Sequence, residues 1–465
     1  MKGDFSRDTF NLKKNFSRVL MQQGRVQLDA DWNEQSAILL HYLRTLAKDL
    51  IGPHAGSGDS FTIRFSEDKK DLIISAGHYY VDGILCENEI DVSYFNQPHY
   101  PMDKKDDFPF PFLAYLDVWE RHVTCFEDES LREVALGGID TTTRAQVVWQ
   151  VKLRGGLSNE EVDAGCDNIR FPIKSDALLL ARTLPAQPSD DPCNIEPDAR
   201  YRGAENQLYR VEIHTGNVDE NGDLLNDEKP NEKPTFKWSR ENGSVVFSVI
   251  SITKSSDATE VRLASLGRDD NSGLREGDWV ELVDDAYTLQ NRADNLLQIV
   301  SIDRDEMSVS LKGTTTISAD RNSGNHSLLR RWDQKAGNAP EGGLTLGDDK
   351  AAVIMEGSGN DNWLKLEDGI QIQFQRTSGN TAQMSRYRTG DYWLIPARTA
   401  TGDVEWTKSA SGELIPQSPH GIEHHYAPLG IAADKDSLPK HCRCTLQSIT
   451  ECPPVREQRS KVKKT

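Results

Sequence analysis

A long helical pattern near the N-terminus constrains this chain most, because its apolar stripe needs to be covered by another surface. The pattern spans residues 31–53, and its apolar residues recur at helical spacing: Leu39, Leu43, Leu46 and Leu50, widened by Trp32, Tyr42 and Ala47. Asp31 is the expected N-cap, with Glu34 three residues later, and Gly52-Pro53 ends the helix. The stripe packs either within this chain or against a partner, and we favour packing within the chain.

The rest of the chain is dominated by short stretches of alternating or β-branched residues, which predict strands. The clearest stretches are residues 61–65, 113–124, 144–153, 207–214, 235–238, 244–252, 363–374 and 390–398. Asp82-Gly83 lies between two apolar runs and predicts a tight hairpin. Four or five closely spaced strands between residues 245 and 315 predict a small barrel, inserted into a flanking β domain.

These patterns predict a mainly β, multi-domain chain, with mixed small β-barrel and β-sandwich-like units and one long N-terminal amphipathic helix. We expect an N-terminal arm and helix (1–55), a β domain (56–155), and an acidic linker with the first part of a second β domain (156–244). The inserted barrel (245–315), the remainder of the second β domain (316–450) and a flexible basic tail (451–465) follow.

Charge and hydropathy exclude several classes of protein. The chain of 465 residues carries a net charge of −19, so it lacks the general basic surface that binds nucleic acid. It has no apolar run long enough to cross a membrane and no apolar signal core after Met1, which predicts assembly in the cytoplasm without membrane insertion. Residues 453–465 carry a net charge of +4, and this tail either docks on an acidic neighbour or is a solubilising end.

The cysteines do not form a recognisable pattern. There are seven, scattered along the chain, which does not resemble a disulfide framework. Cys442, Cys444 and Cys452, with His441, offer four possible metal ligands, but their spacing differs from that of zinc fingers. We therefore favour free cytosolic thiols.

Other candidate sites also have simpler interpretations. His420, His424 and His425 cluster without the spacing of a metal site, and their alternative is a turn before a buried strand. The Asp219, Asn221 and Asp223 series departs from a calcium loop and favours a polar turn.

The acidic residues do not identify an enzyme. Asp117 and Glu120 beside Trp119, and Glu367-Asp368, could serve as carboxylate pairs of a glycosidase, but the sequence alone cannot pair them. His122 is interpreted as a residue on a strand face. Since no nucleophile or phosphate-binding motif occurs, we predict no catalytic, cofactor-binding or metal-binding residue.

Nine tryptophans are present, and seven of them fall in or beside predicted strands. We expect most of these to fill sheet cores. Those seven are Trp119, Trp149, Trp238, Trp279, Trp332, Trp363 and Trp393. Any that are exposed would be candidates for sugar platforms or interface anchors.

Long uninterrupted segments of this sequence resemble those of a family of uncharacterised-domain proteins. That family is encoded with extracellular contractile injection systems, the phage-tail-like particles of bacteria. The resemblance begins with GDFSRDTF at residues 3–10 and SRVLMQQGRVQLDADWNEQ at 17–35. It continues through ISAGHYYVDGILCEN, YLDVWERHVT, ALGGIDTTTRAQVVWQVKL, ENQLYRVEIH, TFKWSRENGSVV, GDWVELVDD and YRTGDYWLIPARTATGDVEW, and ends near HGIEHHYAPLG.

The resemblance implies a structural subunit of such a particle, at the baseplate or in a cage-like shell around the spike. It implies contacts with baseplate, spike or sheath proteins and a homo-oligomer of threefold or sixfold arrangement, in a particle that is released or membrane-anchored. An extended arm over residues 3–35 would clamp a neighbouring subunit. The alternatives are a carbohydrate- or receptor-binding module on the particle and, ranked last, a polysaccharide hydrolase.

Overall fold

A computed structural model describes residues 1–102, 107–185, 200–219, 221–225, 233–267, 269, 272–318, 325–376, 384–437 and 439–447. The predicted basic tail (451–465) and Cys452 lie outside the described residues. The described chain is mainly β, as predicted, and its long helix lies near the N-terminus. Within the described ranges, no helix has the length and apolarity to span a membrane.

The long helix, α1, spans Asp29–Ile51 and begins three residues earlier than the predicted N-cap implies. Its N-cap is Leu28, which has extended backbone geometry, so the prediction of Asp31 as the N-cap is wrong. Asp31 instead occupies the third helical position, where its carboxylate accepts a hydrogen bond from the Leu28 amide at 3.4 Å. The helix ends at Gly52, as predicted, with φ at 94°.

An N-terminal β unit follows α1, and its four-stranded sheet includes one strand from near residue 445. A four-stranded sheet has the order Thr445–Leu446, His54–Ser57, Gly77–Val81, Ile84–Asn88. The Asp82-Gly83 hairpin is confirmed, since both residues have positive φ, at 48° and 82°. A smaller sheet pairs Ile63–Phe65, Leu72–Ile74 and Val92–Ser93.

The longest strands form a second four-stranded sheet, the long-strand sheet. Its order is Arg144–Gly155, Phe112–Val123, His425–Ala432, Lys440–His441. The strands at 112 and 144 stay in register over their whole length. Their inner faces share an apolar core with the preceding sheets, because alternate residues of each strand point to that side.

The middle of the chain forms a sandwich-like pair of sheets. A five-stranded sheet has the order Ala352–Val353, Thr235–Ser239, Gln207–Ile213, Tyr392–Arg398, Asp403–Val404. It shares a core with a sheet made of Leu178–Thr183, Ile370–Gln375 and Glu356–Gly357, against which Leu364–Lys365 also pairs. Ile370, Ile372 and Phe374 all enter this core, as their alternation predicts.

A closed six-stranded barrel is inserted between Thr235–Ser239 and Ala352–Val353. Its strand order is Val246–Lys254, Ala258–Leu263, Ser308–Lys312, Leu297–Asp303, Trp279–Val283, Leu328–Trp332. The last of these strands lies beyond the 245–315 range expected for the barrel and closes it by pairing with both the first strand and Trp279–Val283. The barrel encloses its own apolar core.

Short elements complete the described fold. The short helices are α2 (Asn159–Ala164) and α3 (Asp285–Leu289), with 3₁₀ turns at Leu12–Lys14, Glu129–Leu131, Val134–Leu136, Gly165–Asn168 and Ala339–Glu341. Two-residue strands pair at Asn96–Gln97 with Tyr100–Pro101 and at Arg132–Glu133 with Ile139–Asp140.

Candidate functional site

The apolar stripe of α1 faces solvent, so the favoured prediction that it packs within the chain is wrong. Only Ala30 and Ile38 of the helix are buried. The exposed fractions on its outer face are 61% for Trp32, 53% for Leu39, 45% for Leu40, 53% for Tyr42, 62% for Leu43, 56% for Leu46 and 72% for Leu50. Such a continuous apolar face on a soluble domain is typical of an interaction site.

Polar contacts on the other side hold α1 against the N-terminal β unit. Arg44 forms an ion pair with Glu120 on the long-strand sheet, at 2.6 Å. Lys48 contacts Asp82 in the hairpin turn, also at 2.6 Å. Gly83 allows this close approach, since a Cβ at that position would collide with the carbonyl oxygen of Arg44. The helix is therefore fixed in place by its charged side and presents its apolar side outward.

The segment before α1, residues 12–28, extends the exposed apolar surface. Its exposed side chains are Leu12 (57%), Phe16 (52%), Leu20 (69%), Met21 (46%), Val26 (84%) and Leu28 (45%). The segment also carries four basic residues and no acidic residue, whereas α1 has two basic and four acidic residues. We call the exposed apolar side chains of residues 12–28 and α1 the N-terminal apolar surface.

Residues 1–9, by contrast, are bound to the body of the protein, so the part of the predicted arm that could reach a neighbour is shorter than residues 3–35. Lys2 forms an ion pair with Glu212 at 3.0 Å, and Arg7 with Glu405 at 2.9 Å. The side chain of Asn242 donates to the carbonyl oxygens of Met1 and Gly3 at 3.1 and 2.9 Å. The predicted arm over 3–35 thus contains an anchored start, an exposed middle whose Val19 amide donates to Gln35 at 2.8 Å, and a helical end.

The anchored segment ends in a buried cluster of charges where the barrel meets the five-stranded sheet. Lys237 lies 2.6 Å from Glu281 and 3.4 Å from Glu212, and Arg210 lies 2.6 Å from Glu212. Trp332 donates its indole hydrogen to Glu281 at 2.8 Å. All five side chains are buried.

The charges in this cluster compensate one another. Burial alone would raise the pKa of Glu281, but the charges of Lys237, His214 and Lys2 together outweigh burial and lower that pKa to about 2. Glu212 is likewise held well below its ordinary pKa by Lys2, Arg210 and Lys237 against the effect of burial. Both carboxylates are therefore ionised and paired, which makes the cluster a junction between the barrel and the sheet rather than a reactive site.

A cavity of about 290 Å³ borders this cluster and reaches Arg44 on α1. His122 lines it with a buried Nε2 that has no hydrogen-bond partner, and Trp119 lines it with an unpartnered indole nitrogen. Burial, and then the positive charges of the N-terminal amine and Arg330, lower the pKa of His122 to about 3. His122 is therefore neutral near pH 7, on a strand as predicted.

The predicted histidine cluster is dispersed by the fold. His424 Nδ1 lies 2.6 Å from Asp117, His425 Nδ1 lies 3.0 Å from Asp82, and His420 accepts from the Leu394 amide at 3.0 Å. The buried strand predicted to follow is His425–Ala432. The buried strand of the alternative interpretation is confirmed, but its expectation that the imidazoles are satisfied locally is wrong for His424 and His425, which pair with residues distant in the sequence.

The candidate carboxylate pairs do not converge on one site. Asp117 contacts His424 and Lys152, whose charges lower its pKa strongly although burial opposes this. Glu120 pairs with Arg44. The fold places Glu367 against Tyr209 and Arg240, at 3.1 and 2.9 Å.

Asp219 and its neighbours form a polar turn, as predicted. The Asp219 carboxylate accepts from the amides of Asn221 and Asp223, both at 2.9 Å. The carboxylate is therefore used to close the turn. Asp368 also lies in a turn, with φ at 48°.

The prediction that the cysteines are free thiols is wrong for one pair of them. Cys166 and Cys442 form a disulfide across 276 positions of sequence, which joins the loop after α2 to the long-strand sheet. Cys86 and Cys125 are free and buried, and Cys444 is free and exposed. Because Cys442 is already bonded, it is not available to the metal site considered above. Among the described residues, no group of three His, Cys, Asp or Glu side chains is arranged to hold a metal ion.

Most tryptophans lie in cores, as predicted. Of the seven in question, six are buried, and Trp279 at the rim of the barrel is half-buried. Trp32 on α1 is the exposed exception outside that set. The exposed apolar character of segment 12–28 was not predicted from the sequence. The signal was present, since the apolar residues of this segment follow neither helical nor strand periodicity.

A family model described as a family of unknown function, DUF6519, matches residues 1–164 and 154–462 of this chain. No curated protein and no solved structure matches it.

Proposed function

Because the chain belongs to DUF6519, a family of unknown function, its role is inferred from its surfaces, and we propose that it is a structural subunit of an extracellular contractile injection system. Its place would be at the baseplate or in a shell around the spike, as the sequence resemblance implies. We propose a structural role rather than an enzymatic one.

The N-terminal apolar surface carries this proposal. An apolar face of this extent is unfavourable in water, and burying it against a neighbouring subunit would recover the free energy lost by its exposure. The fold supports the same role, since α1 is held to the body by Arg44 and Lys48 on one side only. A ring of threefold or sixfold arrangement would give each copy the same neighbours.

The charge distribution favours another copy of this chain as the neighbour. Residues 12–28 carry a net charge of +4, whereas the whole chain carries −19. A basic segment with apolar side chains can therefore lie on the acidic, apolar helix of an adjacent copy. Baseplate, spike or sheath proteins would contact the remaining faces.

The disulfide fits a particle that leaves the cell. Disulfides are rare in reducing cytosol and persist in oxidising surroundings. Under this proposal the subunit is assembled in the cytoplasm, and Cys166 and Cys442 become oxidised after release.

The test replaces residues 12–27 with a Gly/Ser segment of equal length. This change keeps the anchored residues 1–9, whereas deletion of residues 1–29 would also remove Lys2 from buried Glu212. We expect a folded protein that no longer co-purifies with the particle.

The matched control replaces Val134 and Leu136 with Ser, since these residues are also exposed, at 85% and 60%, but lie away from the N-terminal apolar surface. The control should be incorporated like the unaltered chain. Normal incorporation of the 12–27 replacement would refute the proposal.

A further inference from the structure

A second cavity, of about 460 Å³, lies where the rim of the barrel meets the turn after Thr235–Ser239. It is lined by both aromatic and polar residues, among them Trp279, Gln334, Asp278, Asp333, Arg240 and Arg331. We propose that this cavity binds a neutral saccharide. This proposal is independent of the assembly role, because it concerns a different face of the molecule.

The buried amide of Gln334 is the main argument for a ligand. Gln334 is only 1% exposed, and neither its Oε1 nor its Nε2 has a hydrogen-bond partner. A buried carboxamide without partners is costly, and folded proteins rarely retain one without a compensating group. Because Gln334 is among the residues that line the cavity, a molecule bound there that offers both a donor and an acceptor would satisfy this amide.

Trp279 supplies an apolar face beside this amide. It is half-buried and packs against Trp332, which lies directly opposite in the barrel register. The packing fixes the indole while part of it faces the cavity. A fixed aromatic face next to hydrogen-bonding groups is suited to a sugar ring, which has apolar C–H faces and hydroxyls at its edge.

The positive and negative side chains around the cavity are nearly equal in number, and most of them already have partners within the protein. Asp333 accepts from the Arg240 amide at 2.9 Å, and Arg240 also contacts Glu367 at 2.9 Å. The Asp278 carboxylate accepts from the Arg275 amide at 2.9 Å, and burial raises its pKa.

Because positive and negative side chains occur together, the cavity offers no concentrated positive charge for a phosphate or nucleotide. The carboxylates can instead accept hydrogen bonds from hydroxyls, and the guanidinium groups can donate to them. The volume is within the range of pockets that hold small molecules.

The experiment titrates the full-length protein with glucose, galactose, N-acetylglucosamine and N,N′-diacetylchitobiose by calorimetry and by saturation-transfer NMR. We expect at least one of them to bind with a Kd below about 10 mM, a weak affinity. Gln334→Met keeps the volume but removes the amide. It should weaken that binding at least tenfold while leaving the Tm unchanged or higher, because the amide has no partner in the unliganded protein.

Two tryptophan variants provide the control. Trp279→Leu should weaken saccharide binding at least tenfold, whereas Trp32→Leu, at an exposed tryptophan on α1, should leave it unchanged. Three results would overturn the proposal: none of the four saccharides binds, Gln334→Met binds like the unaltered protein, or Gln334→Met lowers the Tm by several degrees. The last result would show that water alone satisfies the amide.

Discussion

Replacing Leu43 and Leu46 together with Glu tests whether the N-terminal apolar surface binds another copy of this chain. These side chains are 62% and 56% exposed. Full burial of a leucine side chain contributes about 1.5–3 kcal/mol, so burying the exposed part of each would contribute roughly 1–2 kcal/mol. Loss of both contributions, about 2–4 kcal/mol, lowers the association constant by roughly 30- to 1,000-fold.

The stability of the single subunit should hardly change. Glu and Leu have similar helix propensities, and substitutions at exposed positions change the free energy of unfolding by only about 0.5 kcal/mol. Sedimentation velocity over a concentration series measures the association, and thermal unfolding measures the stability. We expect oligomers for the unaltered chain and monomers with the same Tm for the double variant.

The matched control is Leu136→Glu with Leu225→Glu, since these leucines are 60% and 63% exposed but lie outside the N-terminal apolar surface. The control should associate like the unaltered chain. Two results would refute the reasoning. A double variant that still oligomerises would show that the face is not the contact, and one that melts several degrees lower would show that the face already packs within the chain.

Three further perturbations test the interior. Burial raises the pKa of Asp391 from 3.8 to about 7, so the folded state retains a proton that the unfolded state loses, and stability falls as pH rises from 4 to 7. Asp391→Asn should remove this pH dependence and raise the free energy of unfolding at pH 8 by about 1–4 kcal/mol. Urea titration at several pH values measures both effects. Lys237→Met leaves buried carboxylates without their ammonium partner and should cost about 3–5 kcal/mol in urea unfolding, whereas Met at exposed Lys335 should cost almost nothing. Serine at both Cys166 and Cys442 should lower the free energy of unfolding by about 2–5 kcal/mol, and a reductant should destabilise the unaltered chain but not this variant.

Local patterns in the sequence predicted local structure well. Asp82-Gly83 predicts the hairpin because few residue pairs adopt positive φ at both turn positions. The strand at Leu328–Trp332 was not assigned to the barrel because two arginines interrupt its apolar residues, and both are buried in the fold. Their charges are satisfied by groups such as Glu241 and a backbone carbonyl, which no local pattern reveals.

Long-range pairing could not be predicted. The strand His425–Ala432 pairs with Phe112–Val123, and the Cys166–Cys442 bond spans 276 positions, so both join segments that lie far apart in the sequence. The helical periodicity of α1 was also ambiguous, because an apolar stripe has the same spacing whether it faces its own domain or another molecule. The exposed fractions of the stripe, together with the ion pairs of Arg44 and Lys48 on the attached side, show which way it faces.

The anchoring of residues 1–9 has a consequence for the order of events during translation. A ribosome synthesises these residues well before their partners Glu212, Asn242 and Glu405, which emerge much later. The anchored segment can dock only when most of the chain has been made, so segment 12–28 acquires its first fixed end at this late moment. Nascent, incomplete chains therefore cannot present the N-terminal apolar surface as the finished chain does, and under the proposed assembly role a growing particle would recruit finished subunits in preference to unfinished ones.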